Sequence, residues 1–177
     1  MGNFIDNVRT RAWWKNALSL LFCALVVVNV CVIFSLSTET GEQSANRSEG
    51  VADIVAGVIV DGYDEMESAE QQVHVDIIHV PLRQLAHFSL FACLGALTTL
   101  LNYSLGFKKW YFTILIPTVF GLANAIFDEL HQNFSAGRVA DVTDVLTDMA
   151  GVLVAVAIIN LIAILIRRYS KNRSDTV

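Results

Sequence analysis

A chain of 177 residues that is 54% hydrophobic, with a mean hydropathy of +0.53 and only two prolines, is too apolar for an ordinary soluble domain, whose apolar share is nearer about 45–50%. The formal charge of −5 says less than its distribution: the basic residues abut apolar runs instead of forming a stripe, which excludes a nucleic-acid surface and leaves the lipid bilayer as the expected partner. Cys23, Cys31 and Cys93 all fall inside apolar runs and read as buried small hydrophobes, with neither a disulfide framework nor a metal-ligand spacing.

The expected fold class is an all-α membrane protein with four transmembrane helices. Residues 1–16 carry Arg9, Arg11 and Lys15 beside Trp13 and Trp14, and the first span, 17–36, holds no charge over a length sufficient to cross a bilayer core. A signal peptide is the competing reading, disfavoured by the length of the apolar run and the lack of an A-x-A site. Residues 37–81 form a long connecting segment. Its opening, STETGEQSANRSEG, is loop-like in composition. Val51, Ile54, Val55, Val58 and Ile59 then recur at helical spacing, predicting a short amphipathic helix on the membrane or on the bundle. His74 and His79 fall in the same segment as solvated loop residues, and Pro81 closes it.

The second span is 82–102, followed by a short loop, 103–109, with Lys108 and Lys109. The third, 110–127, contains Pro117 and Gly121, so a kink is expected. A polar loop, 128–144, leads to the fourth span, 145–166, and a basic tail, 167–177. With both termini cytoplasmic, nine of the twelve basic residues lie inside and only Arg47, Arg83 and Arg138 lie outside. The N-in, C-in arrangement places both polar segments on the extracytoplasmic side.

Phe127–Gly151 concentrates the ionisable groups: Asp128, Glu129, Asp141, Asp144 and Asp148 with His131, Gln132 and Arg138. Charges held between membrane-length runs are costly, which makes them a functional-site hypothesis. At helical spacing, Arg83 and His87 share a face of the second span. Pro117, Gly121, Asn124, Asp128 and His131 share one of the third, and Asp141, Asp144, Asp148, Gly151 and Ala155 one of the fourth. Small residues on these faces let the helices approach, so the stripes are expected to meet in one polar pocket. The candidates for chemistry are His87, Asp128, His131 and Asp148. The candidates for ligand binding are Arg83, His87, Glu129, Gln132, Arg138 and Asp144. Plainer readings stand beside these: Asp141 as a solvated loop acid, Asp148 in a salt bridge with Arg83 or Arg138, His87 as a helix-to-helix hydrogen bond. His87, Asp128, Glu129 and His131 offer nitrogen and oxygen ligands, but their spacing matches no established motif and no metal is expected. No GxSxG turn frames Ser89 or Ser135, and the residues specify no cofactor.

Four blocks resemble the VanZ-like family of bacterial membrane proteins, named after an accessory factor for teicoplanin resistance. They are SLSTETGEQSANRS after the first span; R-x-x-x-H-F at Arg83, His87 and Phe88; D-E-x-x-Q-x-F-x-x-G-R from Asp128 to Arg138; and D-V-L-x-D-x-x-G from Asp144 to Gly151. Members often read R-K-x-A-H-F-x-E-Y in the second block, where this chain has Gln84, Leu90 and Phe91. The resemblance implies a multi-pass protein of the cell envelope that affects glycopeptide sensitivity, and it brings no agreed reaction, substrate or cofactor. Two functional readings follow: a protein that binds or modifies an anionic lipid or lipid-linked glycan head group of the cell-wall precursor kind, or a non-enzymatic scaffold whose charge cluster is structural. A transporter is a third class, disfavoured by four spans and no internal repeat.

Overall fold

The computed structural model describes residues 2–174, with the backbone alone for residues 2–12, 15 and 174. The basic side chains of Arg9, Arg11 and Lys15, and residues 175–177 of the tail, therefore lie outside the described residues. Five α-helices account for most of the chain: α1 (Gly2–Ser37), α2 (Gly41–Ile59), α3 (Ser68–Ser104), α4 (Ile116–Gln132) and α5 (Val142–Ser174). A 3-10 turn, Tyr63–Glu65, precedes α3, and a π-helical turn, Tyr111–Leu115, leads into α4. Four stretches are long and apolar enough to cross a membrane: Asn16–Ser37, Ser68–Ser104, Tyr111–Gln132 and Val142–Arg173.

The Ser- and Glu-rich stretch after the first span is helical, not a loop. Thr40 caps α2 by accepting from the Gln43 backbone N–H while the Gln43 side chain accepts from the Thr40 N–H, a reciprocal pair that starts the helix at Gly41. The helix docks through Ala52 and Ala56, which are fully buried, and leaves Val51, Ile54, Val58 and Ile59 exposed. Small side chains bring the helix close to its neighbour, so the periodic apolar face points away from the bundle. The Tyr63 hydroxyl donates to Asp53 Oδ1 at 2.6 Å and Gln71 Nε2 donates to the Tyr63 carbonyl at 2.8 Å, closing the turn between α2 and α3.

Pro81 does not open the second helix, which begins thirteen residues earlier at Ser68 and runs through the proline. Proline's fixed φ is compatible with a helix, and α2 packs against α3, in whose N-terminal part Val75 is buried. His74 and His79 are accordingly helical and half-buried. At 37 residues α3 extends roughly 55 Å, well beyond the ~30 Å of a hydrocarbon core. The loop between α4 and α5 is correspondingly shorter than 128–144: Asp128–Gln132 complete α4 and only residues 133–141 are irregular.

Pro117 lacks the N–H that would have met the Thr113 carbonyl. Asn160 Nδ2, on α5, donates to that carbonyl at 3.0 Å, and Asn160 Oδ1 accepts from the Tyr103 hydroxyl at 2.8 Å. Where a kink is expected at Pro117, a π-helical turn precedes the proline, and the freed acceptor is satisfied from a neighbouring helix.

Helices α3 and α5 run parallel and form the tightest pair. A Cβ on Gly151 would overlap the Phe88 carbonyl oxygen and reach 3.0 Å from Ala92 N, and one on Gly95 would lie 2.8 Å from the Val152 carbonyl oxygen. The core assembles around this seam from Ile33, Phe91, Leu94, Ala125, Val152 and Val156. The three cysteines lie exposed on the outside of the bundle and are not part of that core. An apolar run marks a span but does not say which of its faces turns outward.

Candidate functional site

The ends of α1 and α4, the beginning of α5 and the middle of α3 meet where the polar residues collect. Arg83 and His87 stand one turn apart on α3, as do Asp144 and Asp148 on α5. Because the helices run parallel, the pairs face each other as two rungs. In the outer rung Arg83 donates to Asp144 Oδ2 at 2.9 Å. In the inner rung His87 Nδ1 lies 3.3 Å from Asp148 Oδ1. That distance suits an ion pair and is long for a hydrogen bond, and by strict geometry neither Asp148 oxygen has a further hydrogen-bond partner. Asp148 is wholly buried, whereas the His87 side chain keeps 19% of its surface exposed.

Helix α4 adds a third side. Gln132 Nε2 donates to Asp128 Oδ2 at 2.7 Å, and Ser37 Oγ of α1 donates to the Asp128 carbonyl at 3.2 Å, fixing a carboxylate that is itself buried. Ligand atoms of His87, Asp128 and Asp148 all lie within 4.8 Å of one another. The neighbouring Glu129 accepts from the Asp141 N–H at 2.7 Å and holds the loop to α5. Asp141 in turn caps α5 by accepting from the Thr143 N–H at 2.8 Å, and hydrogen bonds from Thr143 hold its carboxyl below the usual range.

His131 stands apart. Its ring stacks on Phe34 of α1 at 4.6 Å and on Phe127 at 6.1 Å, on a different face of α4 from Asp128. Asn124 is likewise not on the buried stripe, which runs through Pro117, Gly121, Ala125 and Asp128.

Above the inner rung lies a cavity of about 240 Å³ between α1, α2, α3 and α4. Arg47, Arg83, His87, Asp128, Gln132 and Arg138 supply most of its polar lining, with Ile33, Leu36, Leu90 and Phe91 among its apolar walls. Arg47 pairs with Glu39, which also lines the space. Arg138 is different: its Nε is buried without a hydrogen-bond partner, and among the described residues it makes no ion pair. Burial, and after it the charge of Arg83, lower its pKa from the usual guanidinium value. Sequence reasoning had not placed Arg47, Glu39 or Ser37 in the site. One signal was available, since Arg47, Arg83 and Arg138 are the only basic residues in 16–107 and 110–166, and all three line this cavity.

The VanZ/LLP1 family model matches residues 22–164, which takes in part or all of every helix and every residue of the cavity. The chain belongs to the VanZ/LLP1 family. No curated protein and no solved structure matches it significantly. Family membership and the four membrane-length helices together make it a VanZ-like multi-pass membrane protein. Of the positions where it departs from the common VanZ-like pattern, Leu90 and Phe91 form part of the apolar wall of the cavity and Gln84 is exposed.

The outer rung makes an asymmetric prediction. The Arg83 side chain is 47% exposed and that of Asp144 only 10%, so removing either partner has different consequences. Arg83→Ala strands a buried carboxylate and is expected to cost about 1–3 kcal/mol, below the ~3–5 of a fully buried pair because Arg83 is half solvated. Asp144→Asn leaves a cation free to reach solvent and should cost about 0–1 kcal/mol. Thermal unfolding of the purified variants checks the order; equal losses would contradict it.

Proposed function

We propose that this VanZ/LLP1 protein binds the anionic head group of a membrane lipid or lipid-linked glycan at the outer face of the cell membrane, and through it affects glycopeptide sensitivity. The observation that carries the reading is the convergence of Arg47, Arg83 and Arg138 on one cavity, with Arg138 held there without an ion pair. A planar guanidinium suits bidentate contact with phosphate or carboxylate. Leu36, Leu82 and Leu90 offer an apolar wall to the chains such a head group carries. His87 faces the cavity with Asp148 behind it and is the side chain able to exchange a proton with a bound ligand. The scaffold reading draws on Arg47 and Arg83 being already paired with Glu39 and Asp144.

Purified protein titrated with phosphatidylglycerol and with a polyprenyl phosphate, against phosphatidylcholine, tests the proposal. Anionic head groups are expected to bind preferentially, and Arg138→Lys to lose that preference while remaining folded. Equal binding of all three lipids, or full retention by a folded Arg138→Lys protein, would favour the scaffold.

The outward orientation has its own test, motivated by the placement of nine of the twelve basic residues on the opposite side. After replacement of the three native cysteines, a cysteine at Ser44 or Ala136 is expected to react with an impermeant reagent from outside the cell. Labelling only from the cytoplasmic side would overturn the orientation.

A further inference from the structure

We propose that His87, Asp128 and Asp148 form a site for one divalent cation of the nitrogen-and-oxygen-binding kind, zinc before manganese, at the inner end of the arginine-lined cavity. The proposal does not depend on the lipid reading, because its evidence is the triad itself.

Three helices contribute one ligand each, and the ligand atoms lie within 4.8 Å of one another. Bonds of about 2.0–2.2 Å in a tetrahedral site separate neighbouring ligands by about 3.3 Å. The His87 Nδ1 to Asp148 Oδ1 distance is already 3.3 Å.

Charge supplies the second argument. Asp148 is 0% exposed with both oxygens lacking a hydrogen-bond partner, and Asp128 is 4% exposed with one oxygen held by Gln132. The nearest rung's cation, Arg83, is engaged with Asp144. Besides one imidazole, the two buried carboxylates have only the field of Arg138, which acts on Asp128 but makes no ion pair with either, and a dry unpaired carboxylate is expensive. A divalent ion would balance both with a neutral histidine as its third ligand.

The donor set narrows the ion. One imidazole and two carboxylates suit zinc and manganese, with zinc the tighter at a given site, whereas magnesium and calcium prefer all-oxygen surroundings. His87 and Asp128 line the cavity, so the remaining coordination positions would open toward it. Glu129 and His131, adjacent in sequence, are turned to the loop and to Phe34 and are not ligands.

The test uses the full chain in detergent, stripped with a chelator and titrated with Zn²⁺ and with Mn²⁺ in the absence of added lipid. One ion per chain is expected, with a metal-dependent rise in unfolding temperature. His87→Ala and Asp128→Asn should each weaken zinc by at least about 100-fold, more than the loss of an outer-shell partner. A variant with His74, His79 and His131 all changed to Gln should bind as the parent does. Asp148→Asn tests the third ligand, and the other two variants carry the test should it fail to fold. No binding by the folded parent, or binding undiminished in a folded His87→Ala protein, would overturn the site and leave a buried His–Asp ion pair. Failure here would leave the lipid titration untouched, since that titration is run free of metal.

Discussion

Gly151→Leu is expected to remove folded protein from the membrane almost completely. The Cβ alone would overlap the Phe88 carbonyl oxygen and stand 3.0 Å from Ala92 N, both backbone atoms of α3 that no rotamer change can move. Overpacking that side chains absorb typically costs about 1–3 kcal/mol, and a clash with backbone must cost more because the helix itself has to shift. Such a shift is opposed at the next turn, where Gly95 rests against Val152, and at the outer end, where the Arg83 to Asp144 bond would have to stretch. The variant therefore loses the seam and the site together. Gly50→Ala is the control: nothing lies within 4 Å of its Cβ, and alanine in an exposed helix should be neutral or slightly stabilising. Membrane abundance and unfolding temperature report both; a Gly151→Leu protein with parental values would refute the packing.

Arg138→Lys is expected to abolish the cellular effect of the protein while leaving its abundance near normal, and His87→Ala to abolish it by more than its loss of abundance explains. Lysine retains the charge of Arg138 but not the fork that grips a phosphate or carboxylate, and the loop carrying Arg138 is anchored by other bonds, including the Gly41 N–H donating to the Ala136 carbonyl at 3.0 Å. His87→Ala leaves the wholly buried Asp148 uncompensated and should itself cost about 3–5 kcal/mol, so its phenotype is read per folded protein. Asp148→Asn should behave differently under a purely structural cluster: abundance and phenotype would then fall in proportion, by an amount corresponding to ~3–5 kcal/mol for a broken buried pair. Glycopeptide or envelope-stress sensitivity measured beside membrane abundance separates these outcomes. Full activity in well-expressed Arg138→Lys and His87→Ala proteins would count against any ligand-handling site built on these residues.

Much of the site was legible because a helix repeats nearly every four residues. Arg83 with His87 and Asp144 with Asp148 are spaced to share faces, and both pairs do meet. The same arithmetic misplaced His131, since three residues past Asp128 falls about 60° short of a full turn, enough to turn its ring onto Phe34 instead. It found the helix in α2 but not its buried face: the visible apolar periodicity marked Val51, Ile54, Val55, Val58 and Ile59, whereas the fully buried positions are Ala52 and Ala56. The T-x-x-Q at Thr40 to Gln43, a capping signature, was the local sign that the Ser-rich stretch begins a helix.

By itself the sequence determined four membrane-length helices, a polar end and the carboxylates, arginines and histidine gathered there, because hydropathy and helical period are local properties read along the chain. Only the tertiary structure decided that Arg47 joins Arg83 and Arg138 around one cavity, that Asp144 takes Arg83, and that Asp128 rather than Glu129 or His131 stands with His87 and Asp148. These are choices among faces and partners far apart in the chain. They are settled by how closely glycines let α3 and α5 approach and by which buried charges the packing leaves facing each other.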